Sequence, residues 1–248
     1  MSSNAVFIGW SANEMEACLV ADRSARAHTT IALSYTRVAL LRLKALRLYT
    51  RPTEVRDGRL WDVVSDAPMS TEHAISRFFV PMLCDYKGWA LFTDGDVLVR
   101  SDLGELFAQA DPTKAVQVVQ HGEERQGGVF KKDGDVQTQY HRKNWSSVML
   151  FNCAHPAHRE LTLADLNGRP GRDLHRFYWL RDDEIGALPA GWNYLVNVTT
   201  PVPNPVHLAH FTLGIPSLPG HRDDPFADEW WDVAMRIGYK MDPRQAIA

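Results

Sequence analysis

The order of its apolar runs predicts an α/β layer fold. Three observations carry that expectation. The chain opens strand, helix, strand. Further short apolar runs, at 89–92, 115–120 and 148–151, have the length and bounding residues of buried strands. Between them lie stretches whose apolar residues recur at helical spacing.

Residues 5–8 form a first apolar run stopped by Gly9. Ser11 and Asn13 are both suitable N-caps for a helix to about residue 26, with Met15, Cys18, Leu19 and Ala25 facing inward. A second strand is expected over 29–34. Residues 38–49 carry Leu40, Leu41, Leu43, Leu46 and Leu48 with interspersed bases, an amphipathic helix or a helix–strand mixture ended by Arg51-Pro52. Asp57-Gly58 marks a turn. Ser70-Thr71 can cap a helix carrying Ala74, Ile75, Phe78, Phe79 and Met82, with Pro81 kinking or ending it. Arg77 lies among those apolar residues, which asks for a solvent route or a bound anion. A short helical turn at 103–107 and a polar, mobile loop at 122–139 follow. Two more helices are expected over 156–166 and 174–180, then a loop at 189–193. A proline-rich but still apolar tract covers the last third, and a tryptophan-bearing helix spans 228–239.

The 248 residues fit one domain spanning 1–248, with no repeat or linker. Acids outnumber bases 30 to 27, so the formal charge is −3 and no basic face for nucleic acid is expected. Cys18, Cys84 and Cys153 show neither disulfide nor zinc spacing and read as reduced, buried thiols. No leader and no run near the ~20 apolar residues of a membrane span are visible, so a cytoplasmic protein is expected.

Asp94-Gly95-Asp96 stands apart from this pattern. It sits between the apolar run 90–93 and a second run, 97–99. Acids at the end of a buried strand are costly unless they are paired or bind a cation. Two carboxylates flanking a glycine can turn to one hard divalent cation, which often joins a protein to a phosphate. The same triplet is also ordinary turn chemistry. Later, His207 and His210 lie in an apolar setting. Three residues apart in a strand they point to opposite faces, so one of them is expected to face a site. Gly9, Trp10 and Ser11 follow the first strand, where ligands of α/β sheets bind. Trp10 is then either a wall against a base or a packing residue.

Ser76-Arg77-Phe78, then 91–99 with its Asp-Gly-Asp, then Asp102-Leu103-Gly104-Glu105-Leu106-Phe107 together resemble the nucleotide-sugar transferases of the glycogenin and lipopolysaccharide galactosyltransferase type, glycosyltransferase family 8 and its neighbours. The resemblance runs from Phe7-Ile8-Gly9 to His210-Phe211. It implies a single-domain GT-A fold, a Rossmann-like mixed sheet flanked by helices. It implies that Asp94 binds the donor ribose and touches a metal, that Asp96 and His210 ligate that metal, and that Arg77 lies beside donor or acid. Gly9, Trp10 and Ser11 would border base and ribose, with Gly95, Ser146 and Ser147 also on the donor side. Asp182 and Asp183, in Arg181-Asp182-Asp183-Glu184, would be the catalytic acids under the transferred sugar. Three departures stand out. The family's Asn-Ser-Gly reads Trp145-Ser146-Ser147, its Asp-Gln-Asp reads Asp182-Asp183-Glu184, and the lysine before a late proline is replaced by Ile215. Arg142, Lys143 or His221 are candidate substitutes for that lysine.

The leading expectation is a retaining transferase using manganese, or magnesium, and a nucleoside diphosphate sugar, uridine-based, with a glycan, small molecule or protein as acceptor. The alternatives are a haloacid dehalogenase-type phosphohydrolase with Asp94 as nucleophile, and a non-catalytic sugar-nucleotide-binding module. The first expectation requires Asp96 and His210, distant in sequence, to meet.

Overall fold

The computed structural model describes residues 4–122, 142 and 144–239. The expected loop at 122–139 lies outside them from residue 123 onward, as does Lys143. In chain order the elements are β1 (Ala5–Trp10), α1 (Met15–Ala27), β2 (Ser34–Ala39), α2 (Leu40–Ala45), β3 (Thr53–Arg56), β4 (Arg59–Asp62), β5 (Ala67–Pro68), α3 (Val80–Leu83), β6 (Trp89–Thr93), β7 (Val97–Val99), α4 (Leu103–Phe107), β8 (Val116–Val118), β9 (Val148–Asn152), α5 (Leu163–Gly168), α6 (Gly171–His175), β10 (Ile185–Ala187), β11 (Tyr194–Leu195), β12 (Leu208–His210) and α7 (Ala227–Arg236).

Six strands form the main sheet in the order β10-β8-β9-β6-β1-β2. β9 runs antiparallel to both its neighbours, and the other pairs are parallel. The period-2 alternation of a strand sends neighbouring side chains to opposite faces. Phe7, Ala90, Phe92, Val118, Met149 and Phe151 enter one buried cluster. Val6, Ile8, Leu91, Val148 and Leu150 enter another. Both faces are therefore covered, which explains why these strands read as continuous apolar runs. A third cluster joins α1, β7, β12 and α7 through Ala17, Val20, Leu98, Ala209, Trp230 and Trp231. The small sheet β11-β12-β7 carries the Asp-Gly-Asp exit strand.

Several local expectations are corrected. The second strand lies at Ser34–Ala39, not 29–34, because pairing starts where Ser34 meets Ala5. It takes Val38 and Ala39, and α2 follows, so 38–49 adopts the second of its two expected forms, a helix–strand mixture; Arg47, with φ 57°, turns the chain after it. The helix expected from Ser70-Thr71 is turns, a 3-10 turn at Ser76–Phe79 and the four-residue α3. Pro81 does not break α3. It sits in its first turn, where a missing N–H costs nothing. The stretch 156–166 splits into a 3-10 turn and α5, which starts at a Thr162–Asp165 capping box. The helix expected at 174–180 is instead α6, at Gly171–His175. The antiparallel β3-β4-β5 was signalled only by its Asp57-Gly58 turn.

One consequence of topology positions everything below. β1, β6, β8 and β10 share a direction, so their carboxyl ends line one edge. Gly9, Asp94 and His121 leave from that edge, and Ser146-Ser147 enter reversed β9 there.

Candidate active site

Asp94 leaves β6, and its backbone N–H donates to the Ser147 carbonyl at 2.8 Å, continuing the β6–β9 ladder by one residue. Gly95 makes the next step. A Cβ there would lie 2.6 Å from Cys18 Sγ and 2.7 Å from the Gly9 carbonyl, so α1 and the end of β1 press against bare backbone. The chain then enters β7, which pairs antiparallel with β12 so that His210 faces Val97. The Phe211 N–H donates to the Asp96 carbonyl at 2.9 Å. Strand register thus carries His210 to Asp96: Nε2 lies 3.1 Å from Asp96 Oδ1. The two residues predicted to share a metal do meet. His207 points elsewhere, stacked on Trp192 at 4.3 Å and bonded to Ser101 Oγ at 2.9 Å.

Asp94, Asp96 and His210 each offer a ligand atom, and these atoms lie within 4.8 Å of one another. Around them is a buried collar of basic side chains. Arg77 Nη2 lies 2.8 Å and His73 Nε2 3.2 Å from Asp94 Oδ1. Arg77 Nη1 donates to the Ser146 carbonyl at 2.8 Å, and its guanidinium sits 5.2 Å from the centre of the Phe92 ring. Arg77 therefore holds the first acid and the entry to β9 together. The His73 ring fills the space a Cβ on Gly9 would need. Of the predicted donor-side residues, Gly9 and Gly95 act as close-approach glycines. Ser11 is buried, its carbonyl accepting from the Glu14 N–H at 3.2 Å. Trp10 is half-buried, with the Arg37 guanidinium 4.3 Å from a ring centre and Arg37 in turn 3.1 Å from Asp22.

Electrostatics follow from this packing. Burial raises the Asp94 carboxyl, but Arg77 and then His73 and His210 outweigh it and hold it well below the usual carboxylate range. Burial likewise raises Asp96, and His210 overrides that to bring it down. Burial lowers His210, and Asp96 with Asp94 more than reverses this. Both acids are therefore anionic at neutral pH. Two carboxylates and an imidazole are a donor set for a borderline or hard divalent cation. His210 Nδ1 is engaged by Asn193 Oδ1 at 3.0 Å, which leaves Nε2 as its ligand nitrogen. The residues present fit a divalent metal.

Asp182 and Asp183 are placed differently. They occupy a 3-10 turn before Ile185, at the amino end of β10. Their side chains are 93% and 73% exposed. Asp182 pairs with Arg142, and Asp183 lies 3.1 Å from Arg181 Nε. Among the described residues the structure does not bring either to the metal-type cluster. The route between them runs through Arg142, whose guanidinium sits 5.7 Å from the Trp145 ring centre, and the Trp145 Nε1–H, which donates to the His121 carbonyl at 2.9 Å. His221 lies against Gly214 and is bonded to Asp224 at 2.8 Å.

The sequence did not single out His73, His121 or His175, and gave no role to Asn193. His73 stands four residues before Arg77, the one local signal of a shared helical face. His175 Nδ1 lies 2.7 Å from Ser146 Oγ, and burial with Arg77 nearby pushes it down to about 3. Burial and His210 push His121 down to about 4.

No protein-family profile matches the chain. The Arabidopsis thaliana protein named Protein CDI is 37% identical over 230 residues, which is 91% of this chain and 83% of that protein. This chain belongs to the family of Protein CDI. Among solved structures, the galactosyltransferase LgtC in complex with donor and acceptor sugar analogues aligns over 98% of this chain and 99% of its own, with a TM-score of 0.56 at 15% identity. The bifunctional glycosyltransferase WbbM aligns over 97% of this chain at TM-score 0.57 and 16% identity; this chain spans about half of it, 52%. The glycosyltransferase GlyE of Streptococcus pneumoniae TIGR4 gives 0.54 at 14% identity, over 94% of this chain and 61% of that one. The fold is the GT-A fold of these glycosyltransferases. No described helix is long and apolar enough to cross a membrane.

Proposed function

We propose that this protein is a metal-dependent glycosyltransferase. It moves a sugar from a nucleoside diphosphate sugar, uridine-based, to a glycan, small-molecule or protein acceptor, with retention at the anomeric carbon. One observation carries the reading: Asp94, Asp96 and His210 converge within 4.8 Å at the carboxyl edge of a GT-A sheet. Manganese suits a site where an imidazole joins two carboxylates, and magnesium is the second choice. When bound, the cation neutralises charge on the departing diphosphate. Arg77 and His73 fix the Asp94 carboxylate, and Asn193 fixes the His210 ring. The edge formed by Gly9, Trp10 and Ser11 receives base and ribose. Ser146 and Ser147 border the sugar side through the β9 entry turn. Asp182 and Asp183 remain the acids proposed to lie under the transferred sugar, although their side chains are largely exposed and paired with Arg142 and Arg181.

The phosphohydrolase reading needs a free Asp94 as nucleophile. Asp94 is instead clamped by Arg77 and His73, which disfavours it. A donor screen tests the proposal. Purified protein with manganese or magnesium is offered uridine- and guanosine-diphosphate sugars, and nucleoside diphosphate release is followed. Slow, metal-dependent release from a uridine donor is expected, and the anomer of the transferred product is then read by NMR. If neither metal supports binding or turnover of any of these donors, the proposal fails. Tight donor binding with no turnover on a broad acceptor panel would favour a binding module.

A further inference from the structure

Asn193 is the hub of a buried hydrogen-bond network that joins Ser147, His121 and His210. Its side chain is fully buried. Ser147 Oγ donates to the Asn144 carbonyl at 2.8 Å, so that hydroxyl is left to accept. Asn193 Nδ2 donates to it at 2.9 Å. The same amide nitrogen lies 3.1 Å from His121 Nε2, which therefore accepts. Because the Ser147 hydroxyl is left to accept, the amide keeps its nitrogen on that side. Its Oδ1 must face His210 Nδ1 at 3.0 Å, and a carbonyl oxygen can only accept. Nδ1 of His210 is thus held protonated, and Nε2 faces Asp96 Oδ1 at 3.1 Å: it donates to that carboxylate in the metal-free protein and becomes the ligand atom when a cation displaces its proton.

The hub is itself rigidly placed. It ends the 3-10 turn Ala190–Asn193, directly before β11, which pairs in parallel with the His210 strand. The Gly191 carbonyl accepts the His207 N–H at 2.8 Å, and any Cβ on Gly191 would collide with the Pro205 carbonyl. Trp192 stacks on His207 with an interplanar angle of 12°. Backbone pairing, a glycine contact and a ring stack thus fix Asn193 to the segment that carries the histidine.

We infer that Asn193 is a positioning residue for the metal-type site: it selects the Nδ1-protonated tautomer of His210 and orients Nε2 as a ligand. The inference rests on the metal reading proposed above. Hydrogen-bond partners of ligand histidines change metal affinity by about 10–100-fold when removed. Asn193→Ala is therefore expected to weaken manganese binding, measured by calorimetry on the full chain, by about that factor. Asn193→Asp keeps an acceptor for Nδ1, and with the Ser147 hydroxyl turned to donate and His121 taking its proton at Nε2 its other oxygen is satisfied too, so it is expected to restore binding to within about threefold of wild type. A merely structural role would instead leave both variants equally impaired. A second readout is spectroscopic. In the 15N-histidine-labelled protein loaded with zinc, a diamagnetic cation that imidazole also ligates, long-range 1H–15N spectra at pH 7.5 should assign His210 as protonated at Nδ1 in wild type and in Asn193→Asp, with a mixture in Asn193→Ala. A wild-type His210 protonated at Nε2, or an Asn193→Ala affinity within twofold of wild type while His210→Ala abolishes binding, overturns the inference. If His210→Ala and Asp96→Asn leave manganese binding unchanged, the metal reading itself falls, and this role of Asn193 falls with it.

Discussion

Two acidic clusters belong to the same sheet, one after β6 and one before β10, and they are built by different physics. Asp94 and Asp96 follow the carboxyl end of β6, side chains 14% and 24% exposed, each facing buried basic side chains. Asp182 and Asp183 precede the amino end of β10 and are almost fully solvated. Both clusters read alike in sequence, as acids beside apolar runs. Only the first has had its desolvation cost offset by placed partners: Arg77, His73 and His210. Charge kept at that cost, without a charge-neutral replacement, points to function. Solvated acids beside arginines carry little such information.

The largest expected effect comes from breaking the first cluster at its ligands. Asp96→Asn and His210→Ala should each lower metal-dependent donor turnover by about 10³-fold or more, since a missing ligand removes charge stabilisation where the diphosphate leaves. The check is nucleoside diphosphate release at saturating donor across a manganese titration. Turnover within tenfold of wild type would erase the distinction between the clusters.

Next is the collar. Arg77→Ala leaves Asp94 buried without its main partner, and breaking a buried pair costs about 3–5 kcal/mol. Urea unfolding with chelator present reads this directly. Arg77→Lys should recover little, because one ammonium cannot span both the Asp94 carboxylate and the Ser146 carbonyl as the guanidinium does. A change below about 1 kcal/mol in Arg77→Ala would mean that Asp94 is not held as drawn.

Titration separates the buried groups further. His121, His158 and His175 stay neutral in the folded protein down to about 4, 4 and 3. The unfolded chain takes up these protons near 6.5, so stability falls as the pH drops below that value. His210 is shifted upward instead, so its contribution is full below ~6.5 and is lost as pH rises through its raised folded value. Asp94 and Asp96 are shifted downward, and their contribution is lost only on the acid side, below ~3.9. The metal-free protein should therefore be most stable near pH 6.5, with urea midpoints falling on both sides. Manganese should move that optimum upward, because a ligand imidazole must be deprotonated. Equal midpoints from pH 6.5 to 8.5 with chelator would contradict the assignment of His210.

The sheet strands at 89–93 and 148–152 were legible because burial on both faces leaves a continuous apolar run. The Asp-Gly-Asp was legible because it interrupts one. The meeting of His210 with Asp96 was reachable only through resemblance, since it depends on β7–β12 register and no local spacing encodes it. His73, His121 and His175 gave no pattern, as lone histidines serve equally as core residues and as partners. The second strand and the expected helices at 70–82 and 174–180 were misplaced because pairing partners and positive-φ residues such as Phe177 override periodicity. The similarity of Asp182-Asp183-Glu184 to the family's Asp-Gln-Asp was legible too, but the three-residue β10 leaves the acids at its amino end.

That last placement gives the smallest expected effect on stability. Asp183→Asn removes an exposed charge whose carboxylate faces Arg181, while its backbone carbonyl keeps the Lys114 ammonium at 2.8 Å. Asp182→Asn frees Arg142, which stays anchored on the Arg176 carbonyl and against Trp145. Asp183→Asn unpairs no buried group, so its melting temperature should stay within about 2 °C of wild type; Asp182→Asn takes the carboxylate from Arg142, whose side chain is only 11% exposed, and should lower it by a few degrees more. With the two acids under the transferred sugar, turnover should fall by about 10²-fold in at least one variant, the size expected of a group stabilising charge at the reacting carbon. That loss would show that the 182–184 turn reaches the donor sugar in the working complex, and the contrast between the two clusters would then be one of burial only. A fall of about threefold or less in both variants would take these acids out of the reaction, and the contrast would be one of function as well.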